Sequence, residues 1–481
     1  MSISSALSNA MTGLGAAGRT SEIISSNIAN AMTPGYGVRN LSLSSSQMGG
    51  VSVDGVMRNV NPALLADVRL SGASFRNATA RTEFLTRYED MLGTPDQPSS
   101  LSARIAKFEE TLITAASRPD APERLSGAVE AARDLAGIIS DASVGVQQAR
   151  SEADRNISVQ VDRLNTSLEN VRELNGRITR TITLGGDPSS LYDLRQALVD
   201  EISDMVPVRQ VPRDNGKIAL YSTGGAILLD GGVAEIEFMA VNQVTAYMNL
   251  GAGTLSGLTV NGIEVRTDSE RGALGGGSLG AEFEIRDELG TDAQTQLDAL
   301  ARDLIERFQD PAVDPTLLPG DAGLFTDEGM WLDPANETGL SGRLEINAAV
   351  DVRQGGEPWR IRDGLNAVAP GEVGDARLIQ SLTTALQTTR APGSGDFGAG
   401  AFSAINLASA LTSQLGSDRF QSEQKLSFAS SQFDELTQQM LSEGVDTDRE
   451  LQRLLIVEQS YAANVRMIEA ADEMMQTILR I

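Results

Sequence analysis

The amino-acid sequence predicts a mainly α protein: a nested long helical bundle whose N- and C-terminal helices pair as a coiled coil, with a small β domain inserted. Three observations predict it. Near the start, Ile3, Leu7, Ala10, Leu14, Ala17, Ser21, Ile24, Ile28 and Ala31 recur at alternating steps of four and three, the 3.5-residue period of a coiled-coil seam. At the far end, Leu451, Leu454, Leu455, Tyr461, Val465, Ile468, Met475, Ile478 and Leu479 form a second, wider apolar stripe that runs on to Ile481. Between Pro207 and about Val265 the helical period gives way to short β-favouring runs broken by glycine turns.

The first stripe ends at Thr33-Pro34-Gly35, and the Gly/Ser-rich stretch Leu41–Asp54 reads as loop or short strands. A helix is predicted from Ser74 to Leu92, stopped by Gly93 with Pro95 beyond. Leu101–Ser117 is a second. Asp120 is placed to cap a long helical region with Pro122 in its first turn. Its later part carries Ile157, Val161, Leu164, Leu168, Val171, Leu174, Ile178 and Ile182 near heptad spacing, and Gly185-Gly186-Asp187-Pro188 breaks it. Leu191, Leu194, Leu198 and Ile202 place the next helix before Pro207.

Asn215-Gly216 and Asn261-Gly262 each sit between β-favouring runs, and Gly224-Gly225 precedes Ala226–Leu229. Asn-Gly suits a hairpin because both turn residues need positive φ. Leu297, Leu300, Leu304 and Phe308 restore the helical period, and Pro311 ends it. Residues 311–372 read as irregular connection with brief strand candidates packed along the helices. Leu378, Ile379, Leu382 and Leu386 mark a helix, and a long one runs from Ser403 to about Glu443. Gly444 interrupts, and Asp446 or Thr447 caps the final helix. The predicted units are residues 1–45 with 444–481, 46–206 with 272–443, and the β insert 207–271.

At 481 residues the chain exceeds one ordinary core. Aromatics are only 4% of it, which suits thin helical layers. The net charge of −26 repels phosphate backbones and anionic lipid, so neither nucleic acid nor a membrane is an expected partner. There is no cysteine and no histidine. Disulfides, thiolate catalysis, zinc sites built on Cys or His and histidine acid–base chemistry are therefore excluded. No run of 18 apolar residues could span a bilayer. The N-terminus lacks a basic start, a compact apolar core and a cleavage site, so any export is expected to use a route that reads no cleaved signal.

Few motifs suggest chemistry. Gly275-Gly276-Gly277-Ser278-Leu279-Gly280 fits G-x-G-x-x-G, but it follows a hairpin instead of a buried parallel strand, and a flexible linker is expected. No phosphate-cradling P-loop occurs. A glycosidase needs only two carboxylates, and Glu282, Glu284, Asp287 and Glu288 lie in one run. Sugar platforms are scarce, with Trp331 and Trp359 alone, so a solvated helix face is favoured. No catalytic, cofactor-binding or metal-ligating residue is predicted.

A helix over residues 3–31 would be about 43 Å long. Its large apolar side chains are few and Gly13, Gly15 and Gly18 weaken it, so the two tails are expected to lack order until other helices surround them.

Ser26-Asn27-Ile28-Ala29-Asn30-Ala31-Met32-Thr33-Pro34-Gly35-Tyr36 resembles the N-terminal signature of bacterial flagellar axial proteins, with Ser26 in place of the usual first Asn. Gly444-Val445-Asp446 and the segment around Glu458-Gln459-Ser460-Tyr461-Ala462-Ala463-Asn464 resemble that group's terminal helix. Interior segments narrow the likeness. Leu174-Asn175-Gly176-Arg177-Ile178, Leu194–Ser203, Gly277–Glu288 and Ser413–Asp418 are similar to the hook-associated protein 1 family.

That resemblance implies a structural protein of the bacterial flagellum that joins hook to filament. It implies a ring of identical copies between the hook protein and a second junction protein. It also implies export unfolded through the flagellar type III route, a cytoplasmic chaperone on the C-terminal helix, and an extracellular place in the flagellum. The expected assembly interface comprises Ile3, Leu7, Leu14, Ile24, Asn27, Ile28, Asn30, Pro34, Gly35, Tyr36, Leu454, Leu455, Tyr461, Val465, Ile468, Met475 and Leu479. The alternatives are another axial protein, hook or flagellin-like, or a carboxylate-dependent surface glycosidase.

Overall fold

The computed structural model describes residues 3–33, 35–46, 49–267 and 272–480. Pro34 and Ile481 lie outside them. Helix accounts for 61% of the described residues. The first helix, α1, is Ile3–Ala29. The Gly/Ser-rich stretch after it forms an antiparallel hairpin, β1 (Val38–Ser45) with β2 (Val51–Asn59). The pair lies along α1, and the Thr12 hydroxyl accepts from Val51 N.

Helix α2 (Pro62–Leu92) starts twelve residues before the predicted Ser74. The reason is local: Pro62 fits a first helical turn, and the Asn61 side chain accepts from Leu64 N at 3.2 Å. Helix α3 (Leu101–Ser117) is capped by Ser100 and has the predicted bounds. Helix α4 (Pro122–Thr183) runs 62 residues. Its N-cap is Ala121 with no side-chain cap, so Asp120 does not cap it. Helix α5 (Ser189–Met205) follows the glycine break.

The β region is two small antiparallel sheets. One orders β3 (Val208–Pro212), β4 (Ile218–Ser222), β5 (Ile227–Asp230) and β6 (Gly232–Val233); the other orders β7 (Ile236–Glu237), β8 (Leu258–Val260) and β9 (Ile263–Val265). Both Asn-Gly pairs turn as their chemistry requires, with φ of 56° and 74° at Asn215-Gly216 and 53° and 75° at Asn261-Gly262.

The glycine run is not a linker. Gly276 caps α6 (Gly277–Glu284), and a Cβ on Gly277 would lie 2.4 Å from the Met205 carbonyl oxygen. Packing against the end of α5 therefore demands a bare backbone there. A single π-turn over Ile285–Leu289 carries α6 into α7 (Gly290–Phe308). Residues 311–372 cover the bundle with a two-stranded ribbon, β10 (Phe325–Asp327) on β11 (Leu344–Ile346), and two single-turn helices, α8 (Leu340–Arg343) and α9 (Arg360–Asp363). Helices α10 (Arg377–Gln387), α11 (Ala404–Ser442) and α12 (Thr447–Leu479) complete the chain.

Two hydrophobic cores share α4. The larger joins its first half to α2, α3, α7, α10, α11 and the 311–372 cover, around the clustered rings of Phe108, Phe308 and Phe325. The smaller joins Ile157–Val171 of α4 to α5, α6 and the β sheets. Fully buried Arg150, Asp154 and Arg286 lie between the two cores. Arg286 binds Asp154 at 2.8 Å, while Arg150 donates to the carbonyls of Thr245, Met248 and Arg286. Asp154 and Ser151 in turn accept from Val241 N and Val244 N, strapping that loop to α4. Each buried charge is thus paired or hydrogen-bonded, which offsets its desolvation.

Helices α2 and α11 run antiparallel, with the Phe75 and Phe433 rings stacked at 5.7 Å and Thr82 bonded to Ser422. Their near ends, Asn61 and Glu443, open onto the terminal helices.

Candidate assembly interface

Helices α1 and α12 pair antiparallel, and polar groups set their register. Asn27 is fully buried and donates to Glu450 Oε2 at 3.2 Å. Fourteen residues back on α1 and fourteen on along α12, Gly13 faces Asn464, whose amide would lie 2.9 Å from a Cβ there. Small Ala10, Ala17 and Gly13 let the backbones approach, and Ile24 is the one large side chain of α1 that is fully enclosed. On α12 the inward side chains are Glu450, Leu454, Val457, Asn464, Ile468 and Ala471, at steps of four and three around Tyr461.

The loop after α1 folds back onto Asn27. Its amide nitrogen also donates to Arg39 O at 2.9 Å, and its oxygen accepts from Tyr36 Oη at 2.8 Å and Arg39 N at 3.1 Å. Asn27 thereby uses its full hydrogen-bonding capacity in a place no water reaches. Asn30 donates to Ser26 O, Thr33 donates to Asn30, and Gly35 supplies φ 78° for the turn. These bonds give a physical role to most of the N-terminal signature. Pro34 is outside the described residues.

The seventeen residues expected at the interface fall into separate groups. Ile24 and Asn27 are buried in the helix pair; Ile3, Leu7, Leu14, Ile28, Leu454, Val465 and Ile468 are half-buried along it. Asn30, Gly35 and Tyr36 are half-buried in the loop. Leu455, Tyr461, Met475 and Leu479 are exposed, the last at 82%. With Leu451, Ile456, Met467, Met474 and Ile478 they leave many apolar side chains of α12 exposed among the described residues, Tyr461 and Met475 on the same four-three steps as the seam. Part of the sequence stripe is thus covered by α1 and part is open.

The expectation of unordered tails is corrected: both are helices in the single chain, because α12 and the hairpin flank α1 on two sides. The capping expectation for α12 holds, with Asp446 accepting from Asp448 N and Arg449 N at 3.0 Å.

The expected interface left out Glu450, Asp193 and Asn464. Glu450 carried a legible signal, a polar residue on the four-three seam of α12. Asp193 had none, since its partners Arg39 and Arg58 are more than 130 residues away in sequence. Interior motifs also acquire roles. Asn175 mimics a strand edge, donating to Ile218 O and accepting from Ile218 N, while Arg195 donates to its oxygen at 2.8 Å.

The carboxylate run does not form a catalytic pair. Asp287 binds Arg286, Glu284 binds Arg81, and Glu282 accepts from Asn156 at 3.0 Å. Burial, with Glu83 and Glu152 nearby, pushes Glu282 up to about 7. Among the described residues no group of three or more His, Cys, Asp or Glu is placed to hold a metal ion, and no helix is long and apolar enough to cross a membrane.

Comparison with known proteins follows this layout. Residues 85–321 match the model of the flagellar hook-associated protein FlgK helical domain. Residues 7–36 match the flagella basal body rod protein model, and 437–481 the C-terminal model of the flagellar basal body rod FlgEFG proteins. The flagellar hook-associated protein 1 of Bacillus subtilis is 22% identical, over 94% of this chain and 93% of its own. Over residues 85–321 the chain is similar to the flagellar hook-associated protein FlgK family.

The hook-associated protein 1 of Escherichia coli is 28% identical over 48% of this chain, and that of Salmonella typhimurium 27% over 53%. The chain spans about half the length of these two relatives, 44% and 48%. A solved FlgK hook junction protein from Burkholderia pseudomallei aligns with 55% of this chain and 46% of its own, at 20% identity and a TM-score of 0.44. The two rod-protein matches fall on the paired ends: α1 with its loop, and the end of α11 with α12. The FlgK helical-domain match falls on the body between them.

Proposed function

We propose that this chain is the structural subunit that joins hook to filament in a bacterial flagellum, assembling through its terminal helices. The observation that carries this reading is the α1–α12 pair, register-locked by Asn27 and Glu450 yet leaving many apolar side chains exposed along α12. A face with that many exposed Leu, Ile and Met side chains is stable in water only when another surface covers it. The partners are copies of the chain in a ring, the hook protein on one side and a second junction protein on the other.

The same face gives a cytoplasmic export chaperone something to hold before secretion through the flagellar type III route. The protein works outside the cell, as a non-catalytic part of the flagellum. The FlgK helical-domain match supports this reading over a hook or flagellin-like axial protein, whose likeness would be confined to the ends.

Deletion of residues 446–481 tests it. The truncated chain should stay soluble and keep the helix content of its body, but fail to form rings and fail to restore motility to cells that lack the protein. Assembly by the truncated chain refutes the reading.

A further inference from the structure

The chain crosses between the terminal pair and the body twice. One crossing runs from β2 to α2 through Val60 and Asn61; the other runs from α11 to α12 through Glu443, Gly444 and Val445. Both are short and lie outside the regular elements they connect. Between them opens a cleft of about 560 Å³, walled by Met32 and Tyr36 from the terminal side, by Leu64 and Gln196 from the body, and by Leu441. Met32 is 95% exposed at its edge. Cores elsewhere in the chain are closely packed, so this opening separates two units and is no fault within one.

Beside the cleft, side chains of α5 fasten the units together, Asp193 chief among them. Asp193 on α5 binds Arg39 of β1 at 2.6 Å and Arg58 of β2 at 2.7 Å, and accepts from Gly37 N at 3.2 Å. Arg58 reaches past it to Gln196 and to Gly35 O. The three charged side chains are mostly shielded from solvent, at 14–18% exposure, so salt screens them less than surface pairs. Each strand of the hairpin is thus tied to the same carboxylate, and the hairpin carries α1 with it.

We infer that Asp193 is a latch that holds the terminal pair at one angle to the body, and that releasing it lets the pair swing about the two crossings into the cleft. Hinges of this kind need only a few element-end residues to absorb the rotation, and Gly444 gives the second crossing that freedom. Asp193 is a positioning residue that acts by aiming α12. The purpose of that aim rests on the assembly reading above; the swing is a property of the single chain.

The absence of cysteine makes the test direct, because spin labels can be placed at will. Ser74→Cys on α2 and Gln459→Cys on α12 are both exposed. Electron–electron double resonance on the labelled full chain should give one narrow distance population. Asp193→Ala, and from the other side Arg39→Gln with Arg58→Gln, should each at least double its width, while Asp193→Glu keeps it narrow. The thermal transition of the body should not move in either broadened variant. Widths that match the parent in both variants overturn the latch. So does loss of the body's transition in both, which would make Asp193 a core residue. The α12 deletion reports separately on assembly, so either idea can fail alone.

Discussion

Asn27 in the first helix donates to Glu450 in the last, 3.2 Å away and 423 residues apart in sequence. Both are almost wholly buried, and Glu450 also accepts from Arg453 at 2.9 Å. A polar pair at a seam position forfeits some stability, but it favours one register, since any slip leaves an Asn27 N–H and Glu450 Oε2 without each other in a buried setting. Asn27→Ala strands Glu450, Arg39 N and Tyr36 at once. It should weaken the α1–α12 pairing by about 2–4 kcal/mol, read as faster amide exchange in both helices. Unchanged protection in α12 would show that the register is set elsewhere.

The terminal pair should be the least stable part of the single chain. Its buried side chains are mostly alanines, whereas the α4 cores enclose rows of Leu, Ile and Val. Amides of residues 3–29 and 447–479 should therefore exchange faster than those of 125–171 in the lone subunit, and slow on assembly. Equal protection across the three segments would contradict this order.

The outer face of α12 should matter for assembly and not for folding. Leu451→Ser with Ile478→Ser alters exposed positions, so the melting temperature should stay within the effect of about 0.5 kcal/mol per site. Ring formation should fall sharply. Analytical ultracentrifugation separates the two effects, and unimpaired assembly would clear that face of any role.

Glu282 makes stability depend on pH. Its folded value of about 7 lies above the ordinary carboxyl value of 4.5, first because burial disfavours the charged form and then because Glu83 and Glu152 repel it. Between about pH 4.5 and 7 the folded chain therefore holds a proton that the unfolded chain has lost. Stability falls as pH rises through that window and is lowest above it. Glu282→Gln should raise stability by about 2–3 kcal/mol at pH 8 and leave it unchanged near pH 4. Denaturant melts at the two pH values decide it; equal gains at both would remove the proton from the account.

Gly277 and Arg286 test the two packed joints of the body. Gly277→Ala meets the Met205 carbonyl at φ 62°, for a cost of about 2–4 kcal/mol, where a linker would tolerate the change. Arg286→Met leaves Asp154 charged and unpaired between the cores, for about 3–5 kcal/mol. Urea melts of both variants check the magnitudes.

Much of this was legible beforehand where the signal is local. Helix α3, the cap at Asp446 and the two Asn-Gly turns follow from side chains acting on their own backbone within four residues. Errors arose where a local cue competed with a stronger one nearby. Asn61-Pro62 starts α2 before the apolar period becomes visible, and Ala121 displaces Asp120 because Pro122 fixes the first turn.

The site divided the same way. Period and small residues marked both terminal helices as partners for other helices, and the signature pointed to Asn27 and Tyr36. Sequence by itself determined which segments are helices, which carry an apolar stripe, and which chemistries the chain lacks. Tertiary structure alone decided which part of the C-terminal stripe is covered and which stays open, that Glu450 meets Asn27, and that Asp193 ties the hairpin to the body. The reason is that a stripe records only how apolar a helix surface is. Which part of it is covered, and by what, depends on groups hundreds of residues away that folding alone brings within hydrogen-bond reach.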